Sequence, residues 1–185
     1  VIVNLGAPAA LNADGILDGV STTTAANTIT SSSFASTFDG SSTSLTTTAG
    51  QIDATYGRSL TCIAITGVTS AITVTGRDYL GQIMQETMTL GGTTTVAGLK
   101  AFKYVDTCAV AAGGPTGGTF DLGWGDLLGL PYKAEILLSD TEDKVAAAGS
   151  ITAGVATDPQ TATTGDPRGT FSPASATDGS IVYEV

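Results

Sequence analysis

Apolar and polar residues alternate along much of the chain with the period of two that is typical of β-strands. In residues 59–65 both alternating sets contain apolar side chains, with Leu60, Cys62 and Ala64 in one and Ile63 and Ile65 in the other, which predicts a strand buried on both faces. Residues 71–75 and 83–90 alternate more strictly, and the glycine-containing loop 76–81 lies between them. This arrangement predicts an antiparallel hairpin.

The rest of the chain carries the same signal in shorter runs. Further strands are predicted at residues 101–110, 119–124, 134–138 and 180–185, with a loop rich in glycine at 113–118. Helical periodicity is nearly absent, and residues 140–148 are the stretch expected to form a helical turn or two. Many short strands without a long helix predict an all-β fold, either an antiparallel β-sandwich or a jelly roll.

The first 57 residues differ in composition from the remainder. They are rich in small and hydroxyl residues and include the turn-forming pairs Asp14-Gly15, Asp18-Gly19 and Asp39-Gly40. We therefore predict an extended N-terminal arm with short strands at residues 1–57 and a β-sandwich domain at residues 58–185. Disorder of the arm in isolation is the alternative interpretation.

The charge balance narrows the possible partners. Seven basic and 17 acidic residues give a net charge of −10, and there is no histidine, so nucleic acid is not expected as a partner. No apolar run approaches the ~20 residues of a membrane helix and no leader is evident, so neither a membrane partner nor export is expected. Only 13% of residues are charged, which suits a protein packed in an assembly.

The absence of histidine excludes Ser-His-Asp and Cys-His catalysis and imidazole zinc sites. We predict no catalytic residue, no cofactor site and no metal site. Asp140, Glu142 and Asp143 form an acidic cluster that lacks the glycine and glutamate spacing of an EF-hand. Three further aspartates precede proline or glycine and are expected to form turns: Asp158, Asp166 and Asp178.

Three reactive or ionisable side chains lie in strand-like runs. Cys62 and Cys108 are too far apart for a CxxC site, and we expect two buried, unlinked thiols, with a disulfide as the alternative. Glu86 lies on an alternating strand. Because a buried carboxylate needs a partner, we expect Glu86 to be paired with a cation, Arg58 or Arg77, or to be exposed at a sheet edge.

An apolar and aromatic run follows residue 123. Trp124 is the sole tryptophan and lies between two glycines, and Leu130 and Tyr132 follow it closely. Such a run forms either a core plug or an interface anchor, since Trp and Tyr dominate contact hot spots. The core is favoured for Trp124, and Trp124, Leu130 and Tyr132 are the candidate partner contacts.

Several stretches, taken in order, resemble a family of virion proteins of tailed bacteriophages. They cover most of the chain: NADG at 12–15, DATYGRSL at 53–60, ITVTGRD at 72–78, ETMTL at 86–90, KAFK at 100–103, GDLLGLPYK at 125–133 and TGDPRGTFSP at 164–173. Members of that family are capsid decoration or cement proteins, which are all-β and oligomeric on the shell.

The resemblance implies a non-enzymatic structural protein that binds the major capsid protein on the outer surface of the virion and is assembled in the host cytoplasm. The acidic charge agrees with an outward position, because an inward one would face the polyanionic genome. Strands with few charged edges add the expectation of a closed homo-oligomer, a trimer rather than a dimer. The alternatives are another virion component (a head fibre, tail or adhesin module) and a carbohydrate-binding β-sandwich.

Overall fold

The computed structural model describes residues 2–22, 25–30, 33–34, 52, 54–65, 68–112 and 118–185. The predicted turn at Asp39-Gly40 lies outside these ranges, as does the predicted loop 113–118 apart from its last residue. The described part consists of fourteen strands in three sheets, and every strand pair is antiparallel. The prediction of an all-β fold is confirmed.

The main sheet is built around its longest strand. Its order is β12 (Ser150–Ala153), β13 (Gly169–Ser172), β9 (Thr119–Gly129), β4 (Arg58–Ala64) and β7 (Val96–Phe102), and β2 (Asn12–Ser21) also pairs with β9. Strand β9 pairs with β4 along one edge and with β2 and β13 along the other. It is buried along most of its length because it has neighbours on both sides.

Two further sheets complete the architecture. The second sheet has the order β3 (Asn27–Thr30), β8 (Tyr104–Val110), β5 (Ala71–Arg77) and β6 (Ile83–Thr89). The small sheet has the order β1 (Asn4–Gly6), β14 (Tyr183–Glu184), β10 (Thr141–Glu142) and β11 (Val145–Ala146). The predicted hairpin is confirmed as β5 and β6, although β5 runs two residues further than expected and ends at Arg77.

Two hydrophobic clusters hold the sheets together. The larger contains buried residues of both the main sheet, such as Leu60 and Trp124, and the second sheet, such as Met84. The smaller joins the small sheet to one end of the main sheet through residues that include Phe171 and Tyr183. These side chains have an alternating apolar pattern in the sequence because successive side chains of a strand point to opposite faces.

The two cysteines lie in the larger cluster. Cys62 and Cys108 are unlinked and buried, as predicted. Burial raises the pKa of each thiol to about 12. Both are therefore protonated at neutral pH and act as small apolar side chains.

The described residues before Arg58 belong to the same sheets as the rest of the chain. Strand β2 pairs with β9, and its residues Ile16 and Leu17 are buried in the larger cluster. Strand β1 pairs with β14, and β3 pairs with β8. The short strands expected before residue 58 are present and pair with strands of the remaining chain, and the division into an arm at 1–57 and a sandwich at 58–185 stays a prediction.

The predicted strand at 101–110 is wrong in its extent. The chain leaves β7 of the main sheet at Phe102 and enters β8 of the second sheet at Tyr104. Lys103 makes this crossing: its backbone N–H donates to the carbonyl of Arg77, and its ammonium donates to the carbonyls of Ile52 and Ala54. The sequence gives no sign of this change of sheet, because the residues before and after Lys103 both have the composition of a buried strand.

Four other predictions need correction. Residues 140–148 form the hairpin β10–β11 rather than a helical turn, because Asp143 and Lys144 adopt φ angles of 51° and 66° that suit a two-residue hairpin turn. Residues 134–138 are not a strand, since no strand of the described part pairs with them. The last predicted strand is reduced to β14, whereas the strand predicted at 119–124 extends to Gly129 as β9.

Candidate interaction surface

Two of the three predicted partner contacts are buried. Trp124 has no exposed surface, and its indole N–H donates to the carbonyl of Ala10 at 3.1 Å. Leu130 is 3% exposed and belongs to the smaller hydrophobic cluster. The core alternative for Trp124 is therefore correct, and neither residue is an accessible contact. Tyr132 is 67% exposed and stays a candidate.

An apolar groove of about 350 Å³ lies beside Tyr132. Its walls come from both ends of the chain and from the segment after β9, and they include Ile2, Leu130, Tyr132, Ile136, Leu138 and Ile151. Ile2, Ile136 and Leu138 are 79%, 76% and 96% exposed. Large aliphatic side chains gathered in this way are typical of a contact surface.

The start of this segment is held firmly by neighbouring polar groups. The carbonyl of Leu130 accepts a hydrogen bond from Nε of Arg168, and the carbonyl of Pro131 accepts one from the hydroxyl of Tyr79 at 2.7 Å. Ala134 donates its N–H to the carbonyl of Arg168 and accepts from the N–H of Gly154. Residues 130–134 are thus fixed to the body of the protein.

The next five residues make no backbone hydrogen bonds with any residue that the structure describes. From Glu135 to Ser139 no N–H or carbonyl is paired, and pairing resumes at Asp140, whose carbonyl accepts from Ala147. Ala134, Leu137 and Asp140 are turned inward to different degrees, whereas Ile136 and Leu138 are turned outward. The segment 135–139 is therefore held by backbone hydrogen bonds of the residues at its two ends, Ala134 and Asp140. Between them its backbone groups and the side chains of Ile136 and Leu138 are open to a binding partner.

Two acidic side chains adjoin the groove. Glu135 is exposed and directly precedes the groove residue Ile136, and the half-buried Glu184 directly precedes the groove residue Val185. Lys133 offsets one of these charges, since its ammonium lies 3.7 Å from the carboxylate of Glu135. The surroundings of the groove therefore favour a basic partner over an acidic one.

The acidic cluster predicted near this surface serves as a set of backbone acceptors. Asp140 accepts from the N–H of Gly149, Glu142 from Ser175 and Asp143 from Val182. No group of three metal-ligating side chains occurs in the described part of the chain. The predicted aspartate turns are confirmed, because Asp158, Asp166 and Asp178 each accept from the N–H two residues ahead.

Glu86 is buried, and neither predicted cation is its partner. Arg58 lies against Asp126, with Nη2 3.4 Å from Oδ1, and Arg77 lies 2.9 Å from Asp106. The Glu86 carboxylate instead accepts hydrogen bonds from the backbone N–H groups of Leu99 and Lys100. Burial raises the pKa of Glu86 to about 7, although these two hydrogen bonds and the nearby Lys100 charge oppose that rise.

Sequence reasoning missed the groove because its walls are distant in the chain. Ile2 and Ile151 are separated from Leu138 by many residues, and tertiary folding alone brings them together. One local signal was available: four of the five residues at 134–138 are apolar, yet the run lies between segments that carry turn residues. The composition of residues 134–138 predicts a strand, and a strand paired in a sheet would not border a groove with its backbone unpaired.

No family model, curated protein or solved structure matched the chain when it was compared with each. Within the described ranges, the structure has no helix that is both long and apolar enough to span a bilayer.

Proposed function

We propose that this chain is a non-enzymatic structural protein of a virion, a cement or decoration protein that binds the outer surface of the shell formed by the major capsid protein. The observation that carries the proposal is the apolar groove with the highly exposed Ile136 and Leu138. The sequence resemblance described above supports the same role. In this proposal the protein forms a closed homo-oligomer, with a trimer favoured over a dimer.

The mechanism is the addition of buried interface between neighbouring capsid subunits. A specific contact of standard size buries about 1,600 Å² in total, and its repetition over the shell opposes the outward pressure of packaged DNA. Apolar groove residues supply contact area without any chemical step. The net charge of −10 supports an outer location, because an inner surface would face the genome.

The role of another virion component, such as a head fibre, tail or adhesin module, is the nearest alternative. It would use the same exposed groove against a different partner. Location in the particle and effect on shell stability distinguish the two functions.

Particles that lack the chain test the proposal. They should assemble but release DNA at a lower temperature than complete particles, and addition of purified protein should restore retention. Leu138→Asp should restore it poorly, because a carboxylate replaces an apolar contact. Leu80→Asp is the matched control, since Leu80 is 70% exposed and lies outside the groove.

Unchanged DNA release after loss of the whole protein would contradict the cement function and favour the appendage. Equal restoration by the Leu138 and Leu80 variants would instead show that the shell contact uses another surface.

A further inference from the structure

The unpaired segment 135–139 has a property that the groove alone does not explain. Five consecutive residues offer backbone donors and acceptors with no partner in the part of the chain described. A row of free N–H and carbonyl groups pairs readily with an extended chain, and recognition by added main-chain hydrogen bonds is common.

The side chains beside this backbone indicate what such an extended chain would carry. The groove adjoins the segment and is lined largely by aliphatic residues such as Ile2 and Ile151, together with Tyr132. Its volume of about 350 Å³ lies at the low end of the range of roughly 300–1,000 Å³ typical of ligand pockets. It therefore suits a few apolar side chains of a partner segment.

Charge distinguishes a foreign segment from a second copy of this chain. Glu135 and Glu184 adjoin the groove, and a second copy would bring an equally acidic molecule of net charge −10. Like charges brought together at an interface are unfavourable, whereas basic residues would be attracted.

We propose that residues 135–139 and the adjacent groove bind an extended segment of a partner protein in which apolar residues are flanked by lysine or arginine. The segment pairs with the free backbone groups of 135–139 and places its apolar side chains in the groove. The inference rests on the proposed function in one respect: on a virion, the segment belongs to the major capsid protein.

The binding mode can be tested without a virion. The probe is a short synthetic peptide in which valine alternates with threonine between pairs of lysine, and the control peptide has glutamate in place of lysine. We expect the lysine peptide to slow amide hydrogen exchange at residues 135–139, and the glutamate peptide to bind at least tenfold more weakly. Leu138→Asp should weaken the lysine peptide at least tenfold, and Leu80→Asp should leave it unchanged.

Three results would overturn the inference. The first is an absence of peptide-dependent protection at 135–139, and the second is equal binding of the two peptides. The third is protection that grows with the concentration of the protein alone, which would mean that a second copy covers the segment. Because Leu138 is 96% exposed, its substitution is not expected to unfold the protein, and an unchanged thermal midpoint verifies this.

Shell binding separates this inference from the proposed function. If expanded shells bind the protein but leave the amides of 135–139 unprotected, the inference fails and the cement function stands. If the lysine peptide protects these amides while shells do not bind, the inference stands and the cement function fails.

Discussion

The Glu86 carboxylate occupies a break in the main sheet. Strand β7 is irregular between Ala97 and Ala101, where its pairing with β4 shifts, and the freed N–H groups of Leu99 and Lys100 donate to Glu86. Gly98 makes room for this carboxylate, because a Cβ at that position would overlap it. A buried backbone donor without an acceptor is costly, so Glu86 stabilises the irregular part of β7 by accepting these two N–H groups.

This arrangement predicts an unusual dependence of stability on pH. The pKa of Glu86 is about 7 in the fold against an ordinary value of 4.5, so the folded state binds the proton more tightly. Its contribution is therefore complete below about pH 4.5 and is lost as the pH rises through 7. A difference of this size between the folded and the ordinary pKa of Glu86 corresponds to about 3 kcal/mol of unfolding free energy. Lys100 and Asp166 contribute to the field at Glu86, and Glu86 in turn acts on Cys62.

Urea unfolding of wild type and Glu86→Gln between pH 4.5 and 7.5 measures the effect. The free energy of unfolding of the wild type should fall relative to the variant as the pH rises. Asp166, whose pKa burial also raises, is present in both proteins and cancels in the difference. Parallel curves would show that Glu86 does not titrate in this range.

Gly15 and Trp124 provide a second prediction at the scale of single residues. A Cβ at Gly15 would overlap the six-membered ring of Trp124, which is fully buried. We expect Gly15→Ala to reduce the free energy of unfolding by about 1–3 kcal/mol, the usual effect of overpacking. Gly91→Ala is the control, since the nearest atoms would lie 3.9 Å from its Cβ. Equal effects of the two substitutions in urea unfolding would contradict the packing argument.

At the scale of elements, β6 is an edge strand whose outer side is covered by a loop. The N–H groups of Gln85 and Thr87 donate to the carbonyls of Pro159 and Ala162. The ammonium of Lys100 fixes that loop, because it donates to the carbonyls of Gln85, Pro159 and Thr161. Covering an edge in this way prevents unwanted strand pairing.

Lys100→Met should release this loop. The methionine side chain fills the buried path of the lysine stem, but three carbonyls lose a charged donor, and we expect destabilisation of about 1–3 kcal/mol. Amide exchange at Gln85 and Thr87 should accelerate at least tenfold. Lys133→Met is the matched control, because the Lys133 ammonium lies on the surface beside Glu135. Unchanged exchange at β6 would mean that the loop holds its place without Lys100.

At the scale of the whole molecule, one edge of the main sheet stays open among the described residues. Strand β12 pairs with β13 alone. It is short, largely exposed and carries no charged side chain. Open edges with few charges favour association of copies, and closed symmetry is the usual outcome.

We therefore expect a closed homo-oligomer, a trimer rather than a dimer, that forms through the backbone edge of β12 and not through the exposed side chains of residues 135–139. Light scattering at micromolar concentration measures the mass. Leu138→Asp should leave that mass unchanged, because in the proposed binding mode the groove contacts a partner protein rather than a second copy. A monodisperse monomer of the wild type would contradict the prediction.

Local pattern was sufficient for the features that depend on neighbouring residues in the chain. The alternation at 71–75 and 83–90 predicted the β5–β6 hairpin, since the period of two and a short loop define both strands and their pairing. Cys62 and Cys108 were predicted as buried thiols from their apolar runs. Asp-Pro and Asp-Gly pairs predicted turns because the aspartate acceptor lies within reach of its own next N–H groups.

Tertiary structure decided everything that depends on distant partners. The run at 134–138 has strand composition but no partner, so it stays unpaired at the groove. Glu86 accepts the backbone N–H groups of Leu99 and Lys100 on β7, and the cation that acts on it electrostatically is Lys100. Arg58 and Arg77 are paired with other carboxylates. Trp124 became a core residue because β2 places Gly15 against its ring. Composition and period determine which residues form strands, whereas pairing between distant segments determines which strands, charges and apolar side chains meet.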